Sequence, residues 1–234
     1  MAQDVRKPVI IDAEMENTGA DAIADNRRVI SVQIGDSARQ DLYYADASVG
    51  ERGLFQVAIR VRMLVSQGYL FAGYNIKELE VPFLRRFLGV TIPEANVLDL
   101  RDMEGVKKLQ LKTGKSTLEL DEVCGEYGIA ADHKRPMAEK ADLIKKKPEI
   151  VAQANEAAQQ LVAKGLDPGS AQKHALDRIA MGHAILEAYD EFVQRNGAAD
   201  TLFHRYAVGD VVYEHRLLQA LQQPTAPRPA NPRA

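Results

Sequence analysis

The chain has a single cysteine, Cys124, in 234 residues, so an internal disulfide is excluded and a reducing compartment is the expected setting. Cys124 reads as a small core residue rather than a nucleophile. Long apolar runs are also missing. No stretch is long enough to span a bilayer as a helix. The opening Met1 to Pro8 is polar and lacks the apolar region of a secretory signal. A cytoplasmic protein with no membrane partner is therefore expected. A strong excess of one sign of charge is also missing: 30 Lys and Arg against 33 Asp and Glu leave a net charge of −3. That argues against a protein that coats nucleic acid nonspecifically, although a local basic groove stays compatible with it. Internal repeats and a clear interdomain linker are absent as well. What is present is an ordinary apolar content of 46%, enough for a sizeable core in one large domain or two small ones.

The first patterned stretch is Val9-Ile10-Ile11-Asp12-Ala13-Glu14. Its β-branched residues predict a strand, with Val9 and Ile11 on one side and Ile10 on the other. Side chains repeat every two residues along a strand, so Asp12 and Glu14 share a face. Two ionised carboxylates side by side repel, and a divalent cation such as Mg²⁺ or Mn²⁺ would remove that penalty. The plain alternative is a strand leaving the core into a polar loop, since Glu16 and Asn17 follow.

The polar loop runs from Glu16 to Asn26. Arg28 to Gly35 then alternates as a second strand, and Asp41 to Ala45 makes a third, which predicts an antiparallel opening. A helix from Leu54 closes near Gly68. Tyr69 to Gly73 is a short buried strand, Glu78 to Leu88 a helix ended by Gly89, and Asn96 to Leu100 another strand. This order predicts an α/β domain on a mixed sheet, antiparallel first and parallel later.

Beyond it, Lys107, Lys108, Lys112 and Lys115 surround an expected mobile loop at Thr113-Gly114. Ser116 to Glu119 starts a helix toward Tyr127 in this reading. Lys134-Arg135 and Lys145 to Lys147 read as solvated helix faces, with a phosphate-binding groove as the alternative. Glu149 to Lys164 is helix-prone, Pro168 suits the start of a helix to Arg195, and Leu202 to Leu221 is the last helix. The organisation expected is one domain over residues 1–221, with a helical insertion at about 105–198 and a disordered tail over 222–234.

Three separated stretches carry the chemistry. The first is Asp12-Ala13-Glu14. The second runs from Phe71 through Gly73-Tyr74-Asn75-Ile76 to Glu80, Pro82 and Leu84. The third is Tyr206-Ala207-Val208-Gly209-Asp210, where a four-residue spacing puts phenol and carboxylate on one helix face. Together they resemble the three motifs of the DEDD superfamily of 3′–5′ exonucleases, in the subgroup with tyrosine in the third motif. The second stretch is similar to that of the proofreading exonuclease of family B DNA polymerases. Two departures stand out. Glu80 occupies the place of an aspartate, and Met15 that of the threonine that often follows the first-motif glutamate. The longer arm of Glu80 bears on catalysis more than on metal binding. Asp177 is an alternative third-motif acid, with Lys173 where the tyrosine would stand.

The resemblance implies a ribonuclease H-like fold and hydrolysis at the 3′ end of single-stranded nucleic acid, DNA ahead of RNA. It also implies two Mg²⁺ or Mn²⁺ ions. Asp12, Glu14, Glu80 and Asp210 are the implied metal ligands and, with Tyr206, the implied catalytic set. Tyr74 and Asn75 are the implied contacts to the terminal nucleotide. A proofreading role would need a separate replication or repair partner. His174, His183 and His204 read as surface or packing residues, with a smaller chance that His204 touches substrate. Asp99 reads as a cap. Two other readings stand beside this one. One is a catalytically weak or inactive nucleic-acid-binding module of the same fold. The other is a helical interaction protein whose function lies in Glu149 to Arg195.

Overall fold

The computed structural model describes residues 6–19, 28–47 and 52–223. Five strands form its sheet: β1 (Pro8–Met15), β2 (Val29–Gly35), β3 (Gln40–Tyr44), β4 (Leu70–Gly73) and β5 (Val97–Asp99). Two helices alternate with the later strands, α1 (Phe55–Ser66) and α2 (Glu80–Leu88). Six more follow: α3 (Glu104–Thr113), α4 (Leu120–Glu126), α5 (Arg135–Ile144), α6 (Pro148–Ala163), α7 (Pro168–Gln194) and α8 (Leu202–Gln222).

The strand order is β3-β2-β1-β4-β5. β1 pairs antiparallel with β2, and β2 with β3; β1 pairs parallel with β4, and β4 with β5. Parallel neighbours need crossovers, and α1 and α2 supply them. The result is the mixed α/β sheet that the strand patterns predict, consistent with a ribonuclease H-like domain.

Period two divides the core. Val9, Ile11 and Ala13 pack with Val57, Val61 and Leu64 of α1 and with Leu84 of α2. Ile10 points the other way, into a cluster with Val106 of α3, Val123 and Cys124 of α4, and Val211 and Leu217 of α8. Cys124 is buried there, as its size suggests. A third cluster joins α5, α6 and α7 to the start of α8, where Ala154, Ala175 and Ala180 let helices approach and Tyr189, Phe192 and Phe203 fill the centre. Helix α8 contacts β1, β2 and β3 in turn.

Some boundaries differ from the sequence reading. Thr113-Gly114 is the end of α3, closed by Gly114 at φ 70°, rather than a loop between charged segments. Helix α4 begins at Leu120, not at Ser116. Glu119 caps it, in a reciprocal box with Glu122 whose carboxylate accepts the Glu119 N–H at 3.0 Å. Lys134 and Arg135 open α5, which buries Met137, Ala141 and Ile144 at helical spacing. The expected tail falls outside the described residues from position 224 onward, and part of the Glu16–Asn26 loop does so as well. Among the described residues no helix is long and apolar enough to cross a membrane.

Candidate metal-binding site

The strand alternation that sends Ile11 to the apolar side sends Asp12 and Glu14 toward α8. There Tyr206, Asp210 and Glu214 follow one another at one-turn intervals. Oxygens of Asp12, Glu14 and Asp210 all lie within 4.8 Å of one another. Glu80, the first residue of α2, is only 8% exposed. Its carboxylate acts electrostatically on Glu14 and Glu214, and that of Asp12 acts on Glu80.

Two groups from the helical region reach Asp210. His133 Nε2 is 3.0 Å from Asp210 Oδ1, and the Lys134 amine is 3.4 Å from the same oxygen and 3.0 Å from Asp121. Gly209 makes room for this approach, since a Cβ there would lie 2.5 Å from the His133 ring.

Burial dominates the electrostatics. It is the largest cause of a rise in the Asp12 carboxyl to about 7, with the Asp210 charge adding and Lys134 opposing. Burial, then Asp12, pushes Glu80 up to about 8. Glu14 and Glu214 are pushed well above the carboxylate range by burial first and Asp12 second. The Tyr206 phenol is raised by burial and then by Glu14, so it stays a neutral donor. Lys134 is held charged by Asp210 and Asp121 against its own desolvation.

Asp12 Oδ2, Glu80 Oε2 and Glu214 Oε2 are buried and have no hydrogen-bond partner. A cluster of hard oxygen donors, several of them orphaned, fits a divalent cation. Sequence reasoning missed Glu214, although the four-residue spacing from Tyr206 to Asp210 continues to it. It also missed Ser31 and Gln33. Both are fully buried, and they pair directly across from Glu14 and Asp12 respectively. Gln33 Nε2 donates to Ser31 Oγ at 2.7 Å, and Gln33 Oε1 has no partner.

The turn after β4 is fastened from both sides. The Tyr74 N–H donates to Glu214 Oε1 at 3.3 Å, and its hydroxyl donates to the Leu118 carbonyl at 2.6 Å. Asn75 sits at φ 71°, a left-handed conformation that asparagine tolerates. Asp99 accepts N–H groups from Asn75 at 3.1 Å, Lys77 at 3.3 Å and Arg101 at 2.9 Å, so it caps this turn as well as its own. Arg101 donates to the Asn75 side chain.

A cleft of about 370 Å³ opens beside the carboxylates. Its polar lining includes Glu14, Glu80 and Tyr206, and its apolar lining includes Phe83, Met181 and Ile185. Tyr74 and Asn75 are not among its lining residues. Helix α7 forms one wall. It comes close enough that a Cβ on Gly182 would lie 1.5 Å from the Asn17 carbonyl oxygen. Asp177 also lines the cleft, paired with Lys145 at 2.8 Å. It is not part of the converging carboxylate triad. His204 packs near Phe192, with ring centroids 6.3 Å apart.

No protein-family model and no curated protein matches this chain. Among solved structures it is similar to the family B DNA polymerase from the hyperthermophilic archaeon Pyrobaculum calidifontis. The match has 16% identity and a TM-score of 0.35, and covers 86% of this chain and 27% of that one. At that TM-score the likeness establishes neither a family nor a shared activity.

Proposed function

We propose that this chain is a divalent-metal-dependent 3′–5′ exonuclease acting on the 3′ end of single-stranded nucleic acid, DNA ahead of RNA. The observation that carries the reading is the convergence of Asp12, Glu14 and Asp210 from β1 and α8 within 4.8 Å. Asp12, Glu14 and Asp210 would hold one ion, and Glu80 would hold a second, with Asp12 shared. Mg²⁺ or Mn²⁺ suits these donors. When bound, such ions supply Lewis acidity and lower the pKa of coordinated water.

The chain's own side chains do the rest. The Tyr206 O–H, kept protonated by burial and by Glu14, orients a water in the cleft that it lines. Phe83, Met181 and Ile185 offer an unpaired terminal base an apolar surface and exclude water around it. Lys134 offsets part of the negative charge at Asp210.

A second reading, a weak or inactive binding module, is favoured by Glu80 in place of aspartate and by the Lys134 amine against Asp210. A labelled single strand incubated with Mn²⁺ or Mg²⁺ separates the two. Shortening from the 3′ end, abolished in Asp12→Ala, supports the exonuclease. Tight binding without shortening under either metal supports the module.

A further inference from the structure

Strand β3 is an edge of the sheet, with β2 as its neighbour on one side. The segment before α1 begins to cover that edge and then leaves it. The Tyr44 N–H donates to the Arg52 carbonyl at 2.9 Å, and Tyr44 forms an isolated parallel bridge with Gly53. Backbone groups along a strand alternate between its two sides. Gln40 and Leu42 therefore turn their N–H and C=O groups outward, as Tyr44 does, and no described strand meets them. A groove of about 590 Å³ is lined by Gln40 through Tyr43, by Ile59, Arg60 and Met63 of α1, and by His204 of α8. It shares no lining residue with the carboxylate cleft. Helix α1 presents an apolar stripe to solvent here. Phe55, Ile59 and Met63 recur every four residues and are 64%, 58% and 38% exposed, while Val57, Val61 and Leu64 face the core. The groove is also basic. Arg39, Arg52 and Arg60 line it, and among its described lining residues Asp41 is the one acid. Asp41 is shared between Arg60 at 3.0 Å and Arg39 at 3.6 Å, and Arg52 has no ion pair among the described residues. The Arg60 Nε is buried and has no hydrogen-bond partner.

Sheet edge, apolar stripe and excess guanidinium charge together fit a peptide better than the alternatives. A phosphodiester backbone offers acceptors only, so it would leave the outward carbonyls of Gln40 and Leu42 unmet. A second copy of this chain, paired edge to edge, would set arginines against arginines. We propose that β3 is a docking edge for an extended, acidic segment of a partner protein, which adds to the sheet as a further strand. Main-chain hydrogen bonds to Gln40 and Leu42 supply the affinity common to strand addition. Side chains on one face of the added strand rest on Ile59 and Met63, and its carboxylates pair with Arg52 and Arg60. The inference is independent of the metal site and of hydrolysis.

The test uses the full chain and a labelled decapeptide of alternating valine and glutamate. Fluorescence anisotropy should show saturable binding. Hydrogen exchange read by NMR should show the Gln40 and Leu42 amides protected when the peptide is bound. A decapeptide of alternating proline and glutamate carries the same charge but lacks the proline N–H donors, and should bind about tenfold or more weakly. Arg52→Glu and Ile59→Glu change exposed side chains, so the fold should hold while peptide affinity falls about tenfold or more in each. Asp12→Ala should bind the peptide as wild type does, which separates this inference from the proposed exonuclease. Equal binding of the proline peptide, wild-type affinity in Arg52→Glu, or no protection at Gln40 and Leu42 would each overturn the proposal. So would a single-stranded oligonucleotide that protects those amides where the peptide does not. A dimer of the chain that Ile59→Glu abolishes, with no peptide bound by wild type, would assign the edge to self-association instead.

Discussion

On one side of β1, Val9, Ile11 and Ala13 meet the apolar residues of α1 and α2 in a continuous cluster. On the other side, two residues of the same strand, Asp12 and Glu14, meet buried Ser31 and Gln33 across the sheet and Asp210 from α8. Backbone and strand pairing are shared, and only the alternation differs. The apolar side follows the rule that area removed from water stabilises, at about 25 cal/mol per Å². The polar side violates it, with carboxylates raised by burial and oxygens left unpaired. The proposed metal site gives such a face a use, since replacing buried charged groups by apolar residues is often neutral or stabilising.

The comparison breaks most sharply with one substitution on each face. Asp12→Ala should abolish Mn²⁺ binding and any hydrolysis while leaving the metal-free protein as stable as wild type or more so. Ile11→Ala should cost about 2–5 kcal/mol of stability while leaving Mn²⁺ affinity per folded molecule unchanged. Calorimetry and denaturant unfolding on both variants decide it. Equal stability losses would mean that the two faces do not differ in kind.

A finer cut removes one hydroxyl from the polar face. Tyr206→Phe should slow hydrolysis by about 10²–10⁴-fold, the usual range for a positioned proton donor or acceptor. Single-strand affinity and folding should stay intact. Identical rates would show that the phenol only packs. Smaller still is Glu80→Asp, which shortens the arm by one methylene. Mg²⁺ demands near-octahedral oxygens at about 2.0–2.1 Å. The shorter residue should therefore raise the Mg²⁺-supported rate severalfold and change the Mn²⁺-supported rate less. A fall with both metals would mean that the local backbone is built for glutamate.

The least effect is on stability against pH. Asp12 and Glu80 bind protons more tightly folded than unfolded, with folded values near 7 and 8. The stability they contribute is complete below the ordinary carboxylate range, near pH 4, and is lost as pH rises through those values. Metal-free protein should therefore melt several degrees lower at pH 9 than at pH 5, and saturating Mn²⁺ should cancel the fall. A melting temperature that rises over that interval without metal would contradict the burial of these acids.

Much of this arrangement can be read from residue patterns, for definable reasons. Period two in Val9 to Glu14 gives both the strand and the shared face of its acids. A spacing of four gives the common face of Tyr206 and Asp210. The same spacing would have reached Glu214, but a buried acid four residues further looks like any helical surface acid until the sheet is set against it. Gln33 and Ser31 could not be found, because strand register is a property of the pairing and not of either strand. His133 and Lys134 were hidden for another reason. In sequence they belong to a run of basic residues, and only the start of α5 brings them to Asp210. Other lysines of those runs form surface pairs, such as Lys147 with Glu187 and Lys112 with Glu126. Tyr74 shows the converse. It reads as a stacking residue, while its hydroxyl is held by Leu118 and its amide by Glu214.

Helix α8 also behaves as a graduated rod. Tyr206, Asp210 and Glu214 are marks about 6 Å apart on it, at 1.5 Å per residue. Adding one residue at Val208 would rotate everything beyond it by about 100°. Asp210 and Glu214 would swing away from β1 together while Tyr206 stayed in place. Adding four residues would nearly restore the facing but carry both acids a full mark along the sheet. Length changes in this helix therefore act in discrete steps, and none of the steps returns the original set of three.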